Sequence, residues 1–434
     1  MKKWIVYLVL LTVTFAACKK EDTVFDKSPD ERINGALASY QQTLQSAASG
    51  WKATITTGTG GIYNFHFRFA DNNRVFMYSD FNVTTAGTEK ESSYRLKALQ
   101  QPVLIFDTYS YIHLLGDPDG NVNGGADGEG LLTDFEFAID TVYADSIILT
   151  GRYYQTHLRL ERAEAADYTA WQNGVWESNV QFQNISNILE YFKRFTLGGV
   201  TYDIIVDPIT RTVSFIWFAG NAQRSFTTTY YFDRTGVVLT NPFVNGTTTI
   251  RTFTDIKWNA TTRQISMQVN SNNVIVAGAN APIRVDLNAP QRWYNTVAAS
   301  DEYWGSYDGF HVNGVDDAYK VTQIPGYAFM VFWPAFGSSG GTTYDLLGFV
   351  TQTNAGLTLG FGAGYNAPTF TSDGKIVFTV LGVLGDVPTE AEDAFYNTAS
   401  RMTDPSGYYL VQTGSSSYDM VAASNARAWI HWER

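Results

Sequence analysis

The feature that most constrains this fold is a change of period near residue 50. Before it, Ile33, Leu37, Tyr40 and Leu44 recur at helical spacing; after it, Phe65, Phe67 and Phe69 alternate with Asn64, His66 and Arg68. Period two sends successive side chains to opposite faces, so the second pattern reads as a strand with one buried and one solvated face. Asn64, His66 and Arg68 belong on the solvated face by that rule. Alternation continues in Asp134-Phe135-Glu136-Phe137 and in Ile147-Ile148-Leu149-Thr150-Gly151. The helix ahead of the switch has its own start signals. Ser28 is placed to cap, Pro29 to occupy the first helical position and Glu31 to close a capping box. These predict a helix near residues 29–48, ended by Gly50, whose apolar stripe lies on the rest of the unit.

The same order returns twice. Ile185, Ile188, Leu189 and Phe192 make a second short helical stripe, followed by Gly198-Gly199 and a strand over Thr201-Tyr202-Asp203-Ile204-Ile205-Val206. A third begins at Trp293 and Tyr294 and runs on through strands near Phe310, Phe329, Tyr344, Leu357 and Ile376. The expected class is therefore mostly β with a few helices. Its antiparallel sheets form sandwich- or barrel-like meanders in three divergent helix-plus-meander units over 29–165, 166–290 and 291–434.

The first residues address the chain. Lys2 and Lys3 precede an apolar run from Trp4 to Ala17, and Ala16-Ala17 stand directly before Cys18, the single cysteine. A membrane span needs about 20 apolar residues, more than this run supplies. Residues 1–17 read instead as a lipoprotein signal peptide, Cys18 as the lipidated residue and 18–28 as a tether. Lys19-Lys20-Glu21-Asp22 resembles the signal that sends lipoproteins to the outer face of an outer membrane, so the expected location is a lipid-anchored, cell-surface one. With its one cysteine acylated, the chain has no disulfides to rely on. A net charge of −12 argues against nucleic acid as a partner.

The stretch from Phe25 to about Leu160 resembles a Bacteroidetes lipoprotein family, domain of unknown function 4302. The residues carrying the likeness include Phe25, Ser28-Pro29, Glu31-Arg32, Leu37, Tyr40, Leu44, Gly50-Trp51 and Ser79-Asp80. They continue through Pro102 to Tyr109, His113, Asp117-Pro118, the glycines from Gly124 to Gly130, and Asp134 to Phe137. The resemblance implies a setting beside SusC/SusD-type outer-membrane uptake proteins. It implies no activity and no catalytic residue.

The best site candidate is the loop from Asp117 to Glu129. From Asp119 it offers oxygen side chains at calcium-loop positions 1, 3 and 5 (Asp119, Asn121, Asn123), glycine at 6 and Asp127 at 9. Gly130 replaces the bidentate glutamate at position 12, and Glu129 lies one residue early. The competing reading is a polar hairpin loop. Tyr109, His113 and Asp117 are the candidate ligand-binding residues beside it, and calcium is the one cofactor the sequence suggests. Asp134 and Glu136 share a strand face, where polar-out alternation explains them better than paired catalytic acids do. No nucleophile elbow, phosphate loop or His-Glu-x-x-His motif is present. Aromatic residues are dense, above all in Tyr303-Trp304-Gly305-Ser306-Tyr307, and exposed Tyr and Trp faces suit sugar rings or peptide side chains. The function expected is non-enzymatic binding of a nutrient polymer, polysaccharide or peptide, or help to an uptake complex. The alternatives are a hydrolase acting on glycan or peptide, and a haem- or metal-binding lipoprotein.

Overall fold

A computed structural model describes residues 28–354 and 356–434. The expectations on residues 1–27, among them the signal peptide and Cys18, lie outside the described part. The chain is mostly β, in antiparallel sheets, as its alternation predicts.

The helix Pro29–Gln45 opens on the expected capping box. Ser28 Oγ accepts from the Glu31 N–H at 3.2 Å, and the Glu31 carboxylate accepts from the Ser28 N–H at 2.8 Å. The Glu31 carboxyl is accordingly held below the usual range, first by the Ser28 backbone hydrogen bond. Only the last turns dock. Leu44 is buried and Leu37 and Tyr40 are half-buried, while Ile33 is exposed. The full-length stripe is thus corrected: the helix touches its barrel at one end. There the Trp51 indole N–H donates to the Leu44 carbonyl at 2.8 Å, tying the last helical turn to the first strand.

Eight antiparallel strands follow, from Trp51–Thr56 to His157–Arg162, each paired with the next. The barrel closes with Trp51 opposite Arg162. Closure leaves no unpaired sheet edge. Phe65, Phe67, Phe69, Phe106 and Phe137 fill its interior. His66, expected in solvent, is fully buried on the outer face. Its ring stacks on Tyr168 of the following helix at 4.8 Å, and Nε2 lies 2.7 Å from the Ser49 carbonyl oxygen. The strand alternates as read, but a helix covers its polar face.

Helices Ala165–Gln172 and Val175–Val180 and a 3₁₀ turn Gln181–Asn187 lead to a second closed eight-stranded barrel. It runs from Phe192–Leu197 to Asn272–Ala279, and its last strand pairs with its first. The stripe expected through Phe192 is corrected too. Ile185 lies in the 3₁₀ turn, the chain is extended at Ile188, and Phe192 already opens a strand.

The third region begins with helix Ala289–Ala298. Here Trp304 Nε1–H donates to the Trp293 carbonyl at 2.9 Å, the device seen at Trp51. The sheet runs from the short strand Thr369–Phe370 round to Val380–Leu384. Its two ends belong together: Gly356–Tyr365 and Thr369–Phe370 pair with Val380–Leu384 and Ile376–Val377 as one interrupted hairpin.

The first two barrels meet through a turn. Ile209, between strands Val200–Asp207 and Thr212–Ala219, packs on the first barrel's core, and its carbonyl accepts from Tyr63 Oη at 3.2 Å. Beside it Arg211 is wholly buried. It donates to both Asp80 carboxylate oxygens at 3.0 and 3.1 Å and to the carbonyls of Ile62 and Asp80. Its guanidinium lies 3.8 Å from the Tyr63 ring and 4.8 Å from that of Phe232. A charge this deep needs a paired, hydrogen-bonded surrounding, and here every guanidinium donor except Nε–H has a partner.

Candidate functional site

The loop from Asp117 to Glu129 is largely occupied with itself. Asp119 Oδ1 accepts from the Asn121 backbone at 2.9 Å and from its side-chain amide at 2.8 Å. Asp127 Oδ1 accepts from Gly120 N–H at 3.0 Å. Asn123 is buried, its oxygen taken by Gly125 N–H at 2.8 Å and its amide donating to the carbonyls of Leu114 and Asp117. Glu129 is exposed. Gly124 has φ +78°, and an added Cβ would meet Ile209 Cδ1 at 2.5 Å, so the loop presses against the second barrel's turn. Among the described residues no group of three or more His, Cys, Asp or Glu is placed to hold a metal ion.

Tyr109, His113 and Asp117 do come together. Tyr109 donates to Asp117, and its ring stacks 5.7 Å from His113, which also lies 4.8 Å from the Phe135 ring. Burial and then the Asp117 bond push the Tyr109 hydroxyl up to about 12, and the same bond lowers the Asp117 carboxyl. His113 is held neutral by burial, the largest influence on it. Its Nδ1 accepts from Ser110 N–H at 3.2 Å and its Nε2 donates to the Phe106 carbonyl at 3.1 Å, so both ring nitrogens are engaged. Asp134 and Glu136 do not form an acid pair. Asp134 is buried and takes N–H groups of Tyr153, Tyr154 and Thr156 and the Thr156 hydroxyl, whereas Glu136 pairs with Arg152.

An open arrangement lies elsewhere, on the outside of the third sheet. In strand Tyr327–Ser339, Met330 and Phe332 enter the core, so Phe329, Val331 and Trp333 point the other way. The strand then bulges: register is lost between Trp333 and Gly337, with Ala335 at φ +51°. The buried Asp345 carboxylate fixes the bulge, accepting from Ala335 N–H at 2.8 Å and Tyr294 Oη at 3.0 Å. The two extra residues bring Phe336 beside Trp333 at 5.3 Å, and Tyr344 lies 6.3 Å beyond it. At the other end Tyr303 sits 5.3 Å from Trp333 and 6.3 Å from Phe329, with Tyr307 5.7 Å from Phe329.

Six rings thus run in one connected row: Tyr307, Phe329, Tyr303, Trp333, Phe336, Tyr344. Tyr303, Tyr307 and Phe336 are 38%, 51% and 37% exposed, and the other three are half-buried. Asp301 fixes the Trp333 indole through Nε1–H at 3.1 Å. At the Tyr307 end the row borders a cleft of about 560 Å³ rimmed by Glu302, Glu433 and Arg434, the Arg434–Glu302 pair being 3.0 Å apart. Rigid rings with a charged rim suit a ligand with apolar faces and polar edges.

Sequence reasoning singled out Tyr303 and Tyr307 but not the row. The available signal was the run Tyr327 to Trp333, apolar on both faces: an antiparallel strand wet on one side should alternate, and this one does not.

Fold and site define a multi-barrel β protein carrying an exposed aromatic row. The chain belongs to the family described as "Domain of unknown function (DUF4302)", which matches residues 21–260, well past the Phe25-to-Leu160 stretch that carries the resemblance. No curated protein matches. One similar solved structure is an octameric penicillin-binding protein homologue from Pyrococcus abyssi, at 10% identity and TM-score 0.15. The likeness covers 35% of this chain and 37% of that one. Another is the DNA polymerase III β sliding clamp of Bartonella birtlesii, at 8% identity, TM-score 0.18 and coverage of 91% and 97%. Likenesses this small carry no argument.

Proposed function

We propose that this protein is a lipid-anchored, surface-displayed lipoprotein that binds a nutrient glycan on the aromatic row of its third region. The observation carrying the reading is the row itself: six adjoining rings on an outer sheet face, held in place by Asp301 and Asp345. Sugar rings present apolar faces and hydroxyl edges, and side chains pre-set in this way bind them at a reduced ordering cost. Cys18 supplies the anchor, and the family resemblance supplies the setting beside a SusC/SusD-type uptake complex of the outer membrane.

Affinity electrophoresis through gels containing starch, xylan, mannan or β-glucan tests the ligand. At least one polysaccharide retards the protein, and Tyr303→Ala with Trp333→Ala restores free mobility. Retardation by casein and by no polysaccharide replaces glycan with peptide, and release of reducing ends at catalytic rates replaces binding with hydrolysis. Cys18→Ala yields protein that leaves the membrane fraction; a variant still firmly membrane-bound removes the anchor from the reading.

A further inference from the structure

A second cleft lies between the two closed barrels. Its volume is about 500 Å³, within the usual range for small-molecule pockets, which favour domain junctions. It is lined from the first barrel by Lys52, Asn64 and Glu161, from the connecting helices by Asp167, Trp171 and Trp176, and from the second barrel by Asp233 and Arg234. The buried Arg211–Asp80 contact fixes the walls relative to one another, so the cleft is present before any ligand arrives.

Its aromatic wall is built in layers. Trp171, buried, stacks on Tyr78 at 5.7 Å, and Trp176 lies on Trp171 at 4.2 Å with the planes 2° apart. The half-exposed Trp176 ring is the outermost of the three. The carboxylates already have partners. Asp233 Oδ1 takes the N–H and hydroxyl of Thr235, Glu161 meets Arg159 at 2.7 Å, and Asp167 caps its helix at Glu164 N–H. The cations are different. Lys52 and Arg234 stand 3.5 and 3.8 Å from Asp167, beyond good hydrogen-bond distance, with roughly half of each side chain exposed.

From this geometry we infer that the cleft is a second binding site, for one or two uncharged pyranose residues stacked on Trp176 and hydrogen-bonded by Lys52 and Arg234. Charge sets the class. Two cations face three carboxylates, so neither an anionic nor a strongly cationic ligand is favoured, while hydroxyl groups accept from the one set and donate to the other. The inference shares its ligand class with the proposed function but concerns a different place, inside the segment 21–260 that defines the family.

The test is calorimetric titration of the full mature chain with maltohexaose, cellohexaose, xylohexaose and mannohexaose, alongside tryptophan fluorescence. At least one sugar binds and perturbs the fluorescence. Trp176→Ala weakens that binding at least tenfold, and so does the double variant Lys52→Met, Arg234→Met, whose exposed side chains are removed without moving Tm. Binding that survives both changes overturns the inference, as does failure of all four sugars to bind. If only Tyr303→Ala with Trp333→Ala abolishes binding, the cleft is empty of function and the row stands. If only the cleft variants do, the row falls and the cleft stands.

Discussion

The loop from Asp117 to Glu129 and the aromatic row of the third sheet are made of opposite materials, and they differ in what their atoms face. In the loop, the oxygens of Asp119, Asn123 and Asp127 are matched to N–H groups a few residues away. In the row, Tyr303, Tyr307 and Phe336 rest against Phe329 or Trp333 and turn a third to a half of their surface to solvent. A segment rich in ligand-type side chains can thus spend them on its own turn. A binding surface shows itself by groups whose complement lies outside the chain. The two junction charges sort in the same way, Arg211 paired through both terminal nitrogens and Arg234 open.

The largest expected effect comes from the buried, paired charge. Arg211→Met leaves the Asp80 carboxylate buried opposite an apolar side chain and removes the stacking on Tyr63 and Phe232. Breaking a buried pair from one side costs about 3–5 kcal/mol. Chemical denaturation of the variant gives this as a loss of stability in the transition that includes the first two barrels. A change below about 1 kcal/mol means the guanidinium is not holding the barrels together and the contrast with Arg234 fails.

The row predicts the opposite split. Tyr303→Ala and Trp333→Ala remove exposed or half-exposed rings from an outer face, so Tm moves little. Glycan affinity falls by at least about 30-fold, equal to roughly 2 kcal/mol, the scale on which aromatic anchors act in binding surfaces. A large drop in Tm with affinity preserved makes the row a packing feature.

Much of the fold was legible because period is set by backbone geometry alone. Phe65, Phe67 and Phe69 point inward as their alternation requires, and Ser28 with Glu31 caps its helix. What escaped depends on neighbours distant in sequence. His66 alternates outward but is covered by Tyr168, and Ile33 repeats helically but projects past the end of its barrel. The site was legible only in part. Tyr303 and Tyr307 stand close in the chain, yet Phe336 joins them only because Asp345, from the next strand, holds a bulge that no local pattern announces.

An effect that appears only with pH follows from a carboxyl caught between the two regimes. Asp203 pairs with Arg194 at 2.8 Å, yet burial, the dominant influence, raises its pKa to about 6. A carboxyl bound more tightly to its proton in the folded state stabilises the fold below the unfolded pKa near 4. That stability is lost as pH rises through about 6. Two pH units at 1.36 kcal/mol each set the scale at about 2–3 kcal/mol. The stability difference between Asp203→Asn and wild type should therefore grow in favour of the variant from pH 4 to 6 and then level off. A difference that is flat with pH shows that Arg194 fully offsets the burial.

The smallest effect concerns the loop. Asp119→Ala removes the acceptor that caps the short helix Gly120–Asn123, and Asp127→Ala removes the acceptor for Gly120 N–H. Each replaces a turn hydrogen bond at an exposed site, so the pair costs about 1–2 kcal/mol on the scale of helix caps. Calcium decides between the two readings of the loop. An ion that binds the folded state raises Tm in proportion to its occupancy, and the double substitution abolishes that rise. With Asp119 and Asp127 already serving the loop's backbone and Asn123 turned inward, the expected result is a Tm unchanged by millimolar calcium in wild type and variant alike. A calcium-dependent rise confined to wild type shows that these oxygens leave their turn partners for the ion, and the contrast between a self-satisfied loop and an open row no longer holds.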